Sequence, residues 1–182
     1  MNALSLPTMN MKKERLAFDD VLLVPQYSTI ESRSEVKLAQ HLGSYTKTLA
    51  IPIISSPMDT ITGVDMAIAM NQAGGLGIIH RYNTIKEQAL MVQSAAACTV
   101  GAAIGVTGDF EERAAALYAA GARVLCIDVA HGHHILVKRA LNTLKDIYGN
   151  DVHLMAGNVA TLEAFNDLAD WGADSIRCGI GG

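Results

Sequence analysis

Asp174-Ser175-Ile176-Arg177-Cys178-Gly179-Ile180-Gly181-Gly182 is the stretch on which the fold turns. Four residues of short strand run without a spacer into a glycine-rich loop. Glycines directly after a strand let backbone amides and carbonyls approach a ligand with no Cβ in the way. Arg177 is the one charge in that strand, so it either points into a polar mouth or pairs with a carboxylate. The stretch predicts a strand at residues 175–178 whose C-terminal end is a binding site.

The same grammar repeats upstream. Strands are predicted at residues 51–56, 76–80, 100–104, 123–129 and 152–156, and helices at 63–73, 84–97, 109–120, 134–148 and 162–171. Ala73-Gly74, Ala120-Gly121 and Trp171-Gly172 each stop a helix shortly before an apolar strand. Thr84 with Glu87 three residues on reads as a capping box. Strands alternating with helices through short loops mean right-handed βαβ units and a parallel sheet. Doubly wound sheets and (β/α)8 barrels both satisfy that pattern. Polar or glycine residues cluster after nearly every strand: Ser56-Pro57-Met58-Asp59, His80-Arg81, Gly105, Asp128, Gly157-Asn158 and the final glycines. A site assembled from many strand ends favours the barrel, and no GxGxxG opens the first helix. The expected fold is therefore an α/β (β/α)8 TIM barrel, of which this chain carries about six of the eight units. Residues 1–182 are expected to form one C-terminally incomplete domain, with residues 1–50 as an N-terminal extension packing on the barrel. Within that extension, residues 16–25 form a short apolar segment ended by Pro25.

Composition narrows the partners. Half of the residues are hydrophobic and 18% are charged, which suits strands buried on both faces. A net charge of -4 without a Lys/Arg cluster argues against nucleic acid. No signal peptide or bilayer-length apolar run is evident. Cys98, Cys126 and Cys178 lack CxxC spacing and read as reduced core residues of a cytoplasmic protein.

Several residues at strand ends are candidates for chemistry. The hydroxyls and carboxylate of residues 55–59 could hold a polar ligand or cap the next helix. Asp128 ends an apolar strand, where an uncompensated carboxylate is costly without a partner or ligand. His131, His133 and His134 admit a metal reading, but they lack a Glu or Cys companion, and a helix start explains them as well. Asn158 offers an amide that both donates and accepts. No Ser-His-Asp signature, P-loop or HExxH motif is present.

Together these pieces resemble the IMP dehydrogenase and GMP reductase family. The matching segments are Phe18-Asp19-Asp20-Val21-Leu22-Leu23-Val24-Pro25, Ser55-Ser56-Pro57-Met58-Asp59-Thr60, Gly75-Leu76-Gly77-Ile78-Ile79-His80, Ile127-Asp128-Val129-Ala130-His131-Gly132-His133, Ala156-Gly157-Asn158-Val159-Ala160-Thr161 and Gly179-Ile180-Gly181. The resemblance implies a barrel, usually tetrameric, acting on the purine of a nucleoside monophosphate (IMP or GMP) with NAD or NADP. In that family a cysteine thiolate attacks C2 of the purine. The dehydrogenase then passes hydride to NAD, and water releases XMP; the reductase uses NADPH and expels ammonia. By position, Ser56 and Met58 would line the nucleotide pocket, with Asn158 near the purine. Asp128, Arg177, Gly179, Ile180 and Gly181 would face the cofactor, and the Gly181 carbonyl would be one ligand of a potassium ion (K+).

The resemblance also implies that the nucleophilic cysteine falls just after Gly182, so no catalytic residue is expected within these 182. Residues 80–100 leave space for one helix, so the paired regulatory domains typical of the dehydrogenases are absent, which leans toward the reductase or a dehydrogenase lacking those domains. The segments at residues 18–20, 56–59 and 130–133 look more like the dehydrogenase, and the balance leans that way. The competing reading of another class is a non-catalytic fragment that binds nucleotide or assembles with a complete subunit.

Overall fold

A computed structural model describes residues 18–42 and 48–180. Among the described residues six strands alternate with five α-helices: β1 (Ile54–Ser55), α1 (Val64–Gln72), β2 (Leu76–Ile79), α2 (Ile85–Ser94), β3 (Val100–Ile104), α3 (Phe110–Ala119), β4 (Val124–Asp128), α4 (Ile135–Tyr148), β5 (His153–Val159), α5 (Leu162–Asp170) and β6 (Ser175–Cys178). Every neighbouring pair is parallel, and the strand order is β1-β2-β3-β4-β5-β6. A doubly wound sheet would reverse its order at a switch point; this one never does. Sequential parallel pairing with a helix in every crossover is the arc of a (β/α) barrel, as the sequence predicts.

Alternation along the strands separates two apolar layers. Ile79, Ala102, Ile104, Leu125, Ile127, Leu154 and Ala156 face the helices, meeting Leu117, Leu141, Leu144 and Leu168 in the larger core. The opposite face carries Leu76, Ile78, Ala103, Val124, Cys126 and Met155, with Leu49 and Leu42 packed beneath them. Gly77 lies where a Cβ would stand 2.5 Å from Ala67 Cα, so α1 can seat directly on β2. The helix-stopping glycines hold left-handed φ angles of 88° at Gly74, 108° at Gly121 and 98° at Gly172. Among the described residues no helix is long and apolar enough to cross a membrane.

Three boundaries differ from expectation. The regular part of β1 is two residues long rather than six, because Pro52 brings no N–H to a ladder. α2 ends at Ser94, and Ala95–Ala97 turn away in overlapping short-range bonds such as Ala96 N to Gln93 O at 3.0 Å. β5 runs three residues beyond its expected end, through Gly157 and Asn158, residue types that strands disfavour.

The described part of residues 16–25 contributes a 3-10 turn at Phe18–Asp20 and an unpaired extended stretch in which Leu22 and Leu23 are 95% and 98% exposed. The extension meets the barrel at Leu42 and Leu49, beside an antiparallel bridge between Gln40 and Leu49. Residues 19–41 are exposed.

Candidate active site at the strand ends

The strand ends meet around one ion pair. In register across three strands stand Asp128, Gly157 and Arg177. Their side chains share the inner face, and Gly157 has none. A Cβ there would sit 2.6 Å from Arg177 Cβ, so only glycine lets β6 lie close and Arg177 cross β5. The Arg177 guanidinium accordingly donates to Asp128 Oδ1 in a short charged hydrogen bond. It also lies 3.7 Å from Cys126 Sγ.

Burial alone pulls Arg177 down, but Cys126 and Asp128 outweigh it and hold the guanidinium above its ordinary value. Burial likewise pushes the Cys126 thiol up to about 12, despite the opposing pull of Arg177. Cys126 is therefore a neutral thiol at pH 7, and the Asp128 carboxylate is the counter-charge that matters. With Arg177 on Oδ1, the other Asp128 oxygen takes no hydrogen bond from the described residues. It can accept one from a ligand hydroxyl or amide.

Asn158 donates through Nδ2 to Gly179 O at 2.7 Å, tying β5 to the loop after β6. Its own carbonyl receives Gly132 N at 2.7 Å, and a Cβ on Gly132 would stand 2.9 Å from that oxygen. After β1, the fully buried Thr62 hydroxyl bridges Ser56 O at 2.6 Å and Ser55 Oγ at 2.9 Å, holding the turn that carries Ser56. Sequence reading passed over Thr62, whose only signal is a hydroxyl inside the turn between β1 and α1.

A cavity of about 380 Å³ opens between β1 and β6, lined by Ser56, Met155, Asn158, Ser175, Arg177 and Cys178 among others. The structure thus brings Ser56, Asn158 and Arg177 to one cavity, with Asp128 joined to it through Arg177. Met58 is 48% exposed and does not line it. Gly179 takes a left-handed φ of 102°, and Ile180 is 56% exposed. Gly181 lies outside the described residues.

Two of the three histidines after β4 hold local structure. His134 caps α4, its Nδ1 accepting from Leu136 N at 3.1 Å. His133 Nε2 meets Asp167 Oδ2 at 2.7 Å and its ring stacks on Trp171. Among the described residues no three His, Cys, Asp or Glu side chains gather to hold a metal.

The family model for the IMP dehydrogenase / GMP reductase domain matches residues 15–182. The chain is 34% identical over 214 residues to inosine-5'-monophosphate dehydrogenase of Cryptosporidium parvum, covering 91% of this chain and 51% of that protein. It is 29% identical over 297 residues to the corresponding dehydrogenase of Nitrosopumilus maritimus, covering 93% and 62%. It is 32% identical over 166 residues to GMP reductase of Paracidovorax citrulli, covering 90% and 50%. The chain spans about half to 63% of the length of these and similar curated relatives.

Proposed function

Because the chain belongs to the IMP dehydrogenase / GMP reductase family, we propose that its protein oxidises a purine nucleoside monophosphate: IMP, NAD+ and water become XMP, NADH and a proton. What supports this reading is the Asp128–Arg177 pair laid across Gly157 beside a cavity that Ser56 and Asn158 line. Ser56 and Asn158 would hold the nucleotide, and Met58, outside the cavity lining, would reach it only once a nucleotide is bound. A partly buried carboxylate with one open acceptor fits a donor group of a nicotinamide nucleotide, which supplies the hydride acceptor. Arg177 fixes that carboxylate in place. A potassium ion would take the Gly181 carbonyl as one ligand; the nearby Gly179 carbonyl accepts one hydrogen bond from Asn158.

None of the described thiols is set up as the nucleophile. Cys126 is buried, which pushes its pKa up to about 12; Cys178 ends β6 before the glycines; and Cys98 precedes β3, at the opposite end of the sheet from the strand C-termini. The covalent step of this reading therefore draws its thiolate from outside the described residues. The alternative is the reductase reading, in which GMP, NADPH and a proton become IMP, ammonia and NADP+; α2 alone links β2 to β3, which suits the reductase or a dehydrogenase lacking the inserted domains. Absorbance at 340 nm separates the two in the full-length protein. A rise with IMP and NAD supports the dehydrogenase, and a fall with GMP and NADPH supports the reductase. IMP binding without either change supports the non-catalytic reading.

A further inference from the structure

The turn between β1 and α1 closes on itself through one side chain. Thr62 is fully buried, and its hydroxyl reaches back to Ser56 O at 2.6 Å, with Ser55 Oγ 2.9 Å away. A hydroxyl carries one proton, and the closer acceptor is the Ser56 carbonyl. Thr62 is also anchored through its backbone. Its N–H donates to Met58 O at 2.9 Å, and its carbonyl receives His80 N, just past β2, at 3.2 Å. The hydroxyl is therefore seated between the ends of two neighbouring strands.

Ser56 is the opposite case. It is exposed and lines the cavity with Asn158 and Arg177. Its own hydroxyl makes no hydrogen bond with the described residues. Its carbonyl, by contrast, is held twice, by the Thr62 hydroxyl and by Met58 N at 2.9 Å. The buried Pro57 that follows disfavours helical backbone at Ser56. With its carbonyl pinned and its backbone restricted, the Cα–Cβ bond of Ser56 is fixed in direction. The free hydroxyl is thus aimed before any ligand arrives, which removes an ordering cost from binding.

Resting on the nucleotide side proposed for Ser56, we infer that Thr62 is a positioning residue for the substrate: its hydroxyl aims Ser56 at the nucleoside monophosphate. Thr62 lines no part of the cavity, so its effect on the nucleotide passes through the turn it holds.

The test measures IMP binding to the full-length protein by calorimetry in Thr62→Val, Thr62→Ser, Ser56→Ala and the double variant of Thr62→Val with Ser56→Ala. Thr62→Val keeps the volume and loses the donor, so IMP should bind about three- to tenfold more weakly, the worth of one neutral hydrogen bond. Thr62→Ser keeps the donor and should bind IMP as the wild type does. Ser56→Ala should weaken IMP by itself. Adding Thr62→Val to it should then cost nothing further, because no hydroxyl is left to aim; a residue that only supports the fold would add its own loss. Losses that add, a loss in Thr62→Ser equal to that in Thr62→Val, or wild-type affinity in Thr62→Val where Ser56→Ala is weakened each overturn this inference alone. If Thr62→Val does not fold, Thr62→Cys, whose thiol is a weak donor of similar size, takes its place with the same outcomes. Failure of both to fold also overturns the inference. IMP affinity indifferent to Ser56→Ala overturns it together with the nucleotide-side role of Ser56, and a wild type that does not bind IMP overturns the functional reading beneath it.

Discussion

Gly157 shows what a single missing side chain does for this site. A methyl there would collide with Arg177 Cβ at 2.6 Å and Arg177 O at 2.9 Å, and neither atom is the loose end of a flexible chain. Gly157→Ala is expected to destabilise the fold by about 1–3 kcal/mol, as overpacking does, and to push β6 off β5. Chemical denaturation reads the first effect, and loss of ligand affinity in the cleft reads the second. Asp128→Ala strands a guanidinium whose side chain is 25% exposed, so its cost should fall near 1.5–3 kcal/mol, below that of a fully buried pair. A double-mutant cycle with Arg177→Met isolates the coupling.

His153 supplies the pH signature. Burial lowers its pKa from the ordinary 6.5, against a raising pull from Asp174 and with a lowering one from Lys145. The unfolded chain then takes up the proton first as pH falls. The stabilising contribution is complete above about pH 6.5 and declines below it toward the folded value. His153→Gln should flatten that slope between pH 7 and 5 in thermal melts. Asp128 and Arg177 were legible in the sequence because charges inside apolar strands need partners. The role of Gly157 was not, since it depends on the register of three strands.

At the scale of elements, the clamp between α2 and α3, in which Gln88 donates to Ala103 O and accepts from Arg113 Nη1, both at 2.8 Å, escaped sequence reading for a physical reason. Gln88 and Arg113 occupy helix positions where polar residues ordinarily meet solvent, yet they are 0% and 8% exposed. Gln88→Ala would leave Ala103 O and one Arg113 donor without their partner. A loss of about 1–3 kcal/mol is expected, with faster amide exchange in the loops after β2 and β3. Thr84, by contrast, announced itself. It accepts from Glu87 N at 3.2 Å while Glu87 Oε2 takes Thr84 N at 2.9 Å, the reciprocal cap its spacing implies. Thr84→Ala should cost about 1 kcal/mol. Local signals of this kind are visible in a sequence because both partners lie within one turn. Gln88 and Ala103 are 15 residues apart, and nothing local links them.

For the molecule as a whole, the arc of strands has two open ends. β1 pairs only with β2 and β6 only with β5 among the described residues. Ile53, Ile54 and Ile180 are exposed near those edges. The 182-residue chain by itself is expected to associate through them, with sedimentation showing species larger than a monomer that grow with concentration. A monodisperse monomer with one sharp thermal transition would contradict the open-arc reading. Arg177 touches the Ser56–Asn158 cavity on one side and the Asp128 carboxylate on the other, so the two compartments bid for one guanidinium. A molecule that draws Asp128 toward itself loosens the grip on Arg177 and frees it for whatever sits in the cavity. By thermodynamic reciprocity, the second arrival must alter the affinity for the first by the same factor. The two halves of the cleft are expected to be coupled, so the apparent affinity for one ligand should shift in titrations at fixed concentrations of the other, by the same factor whichever is varied.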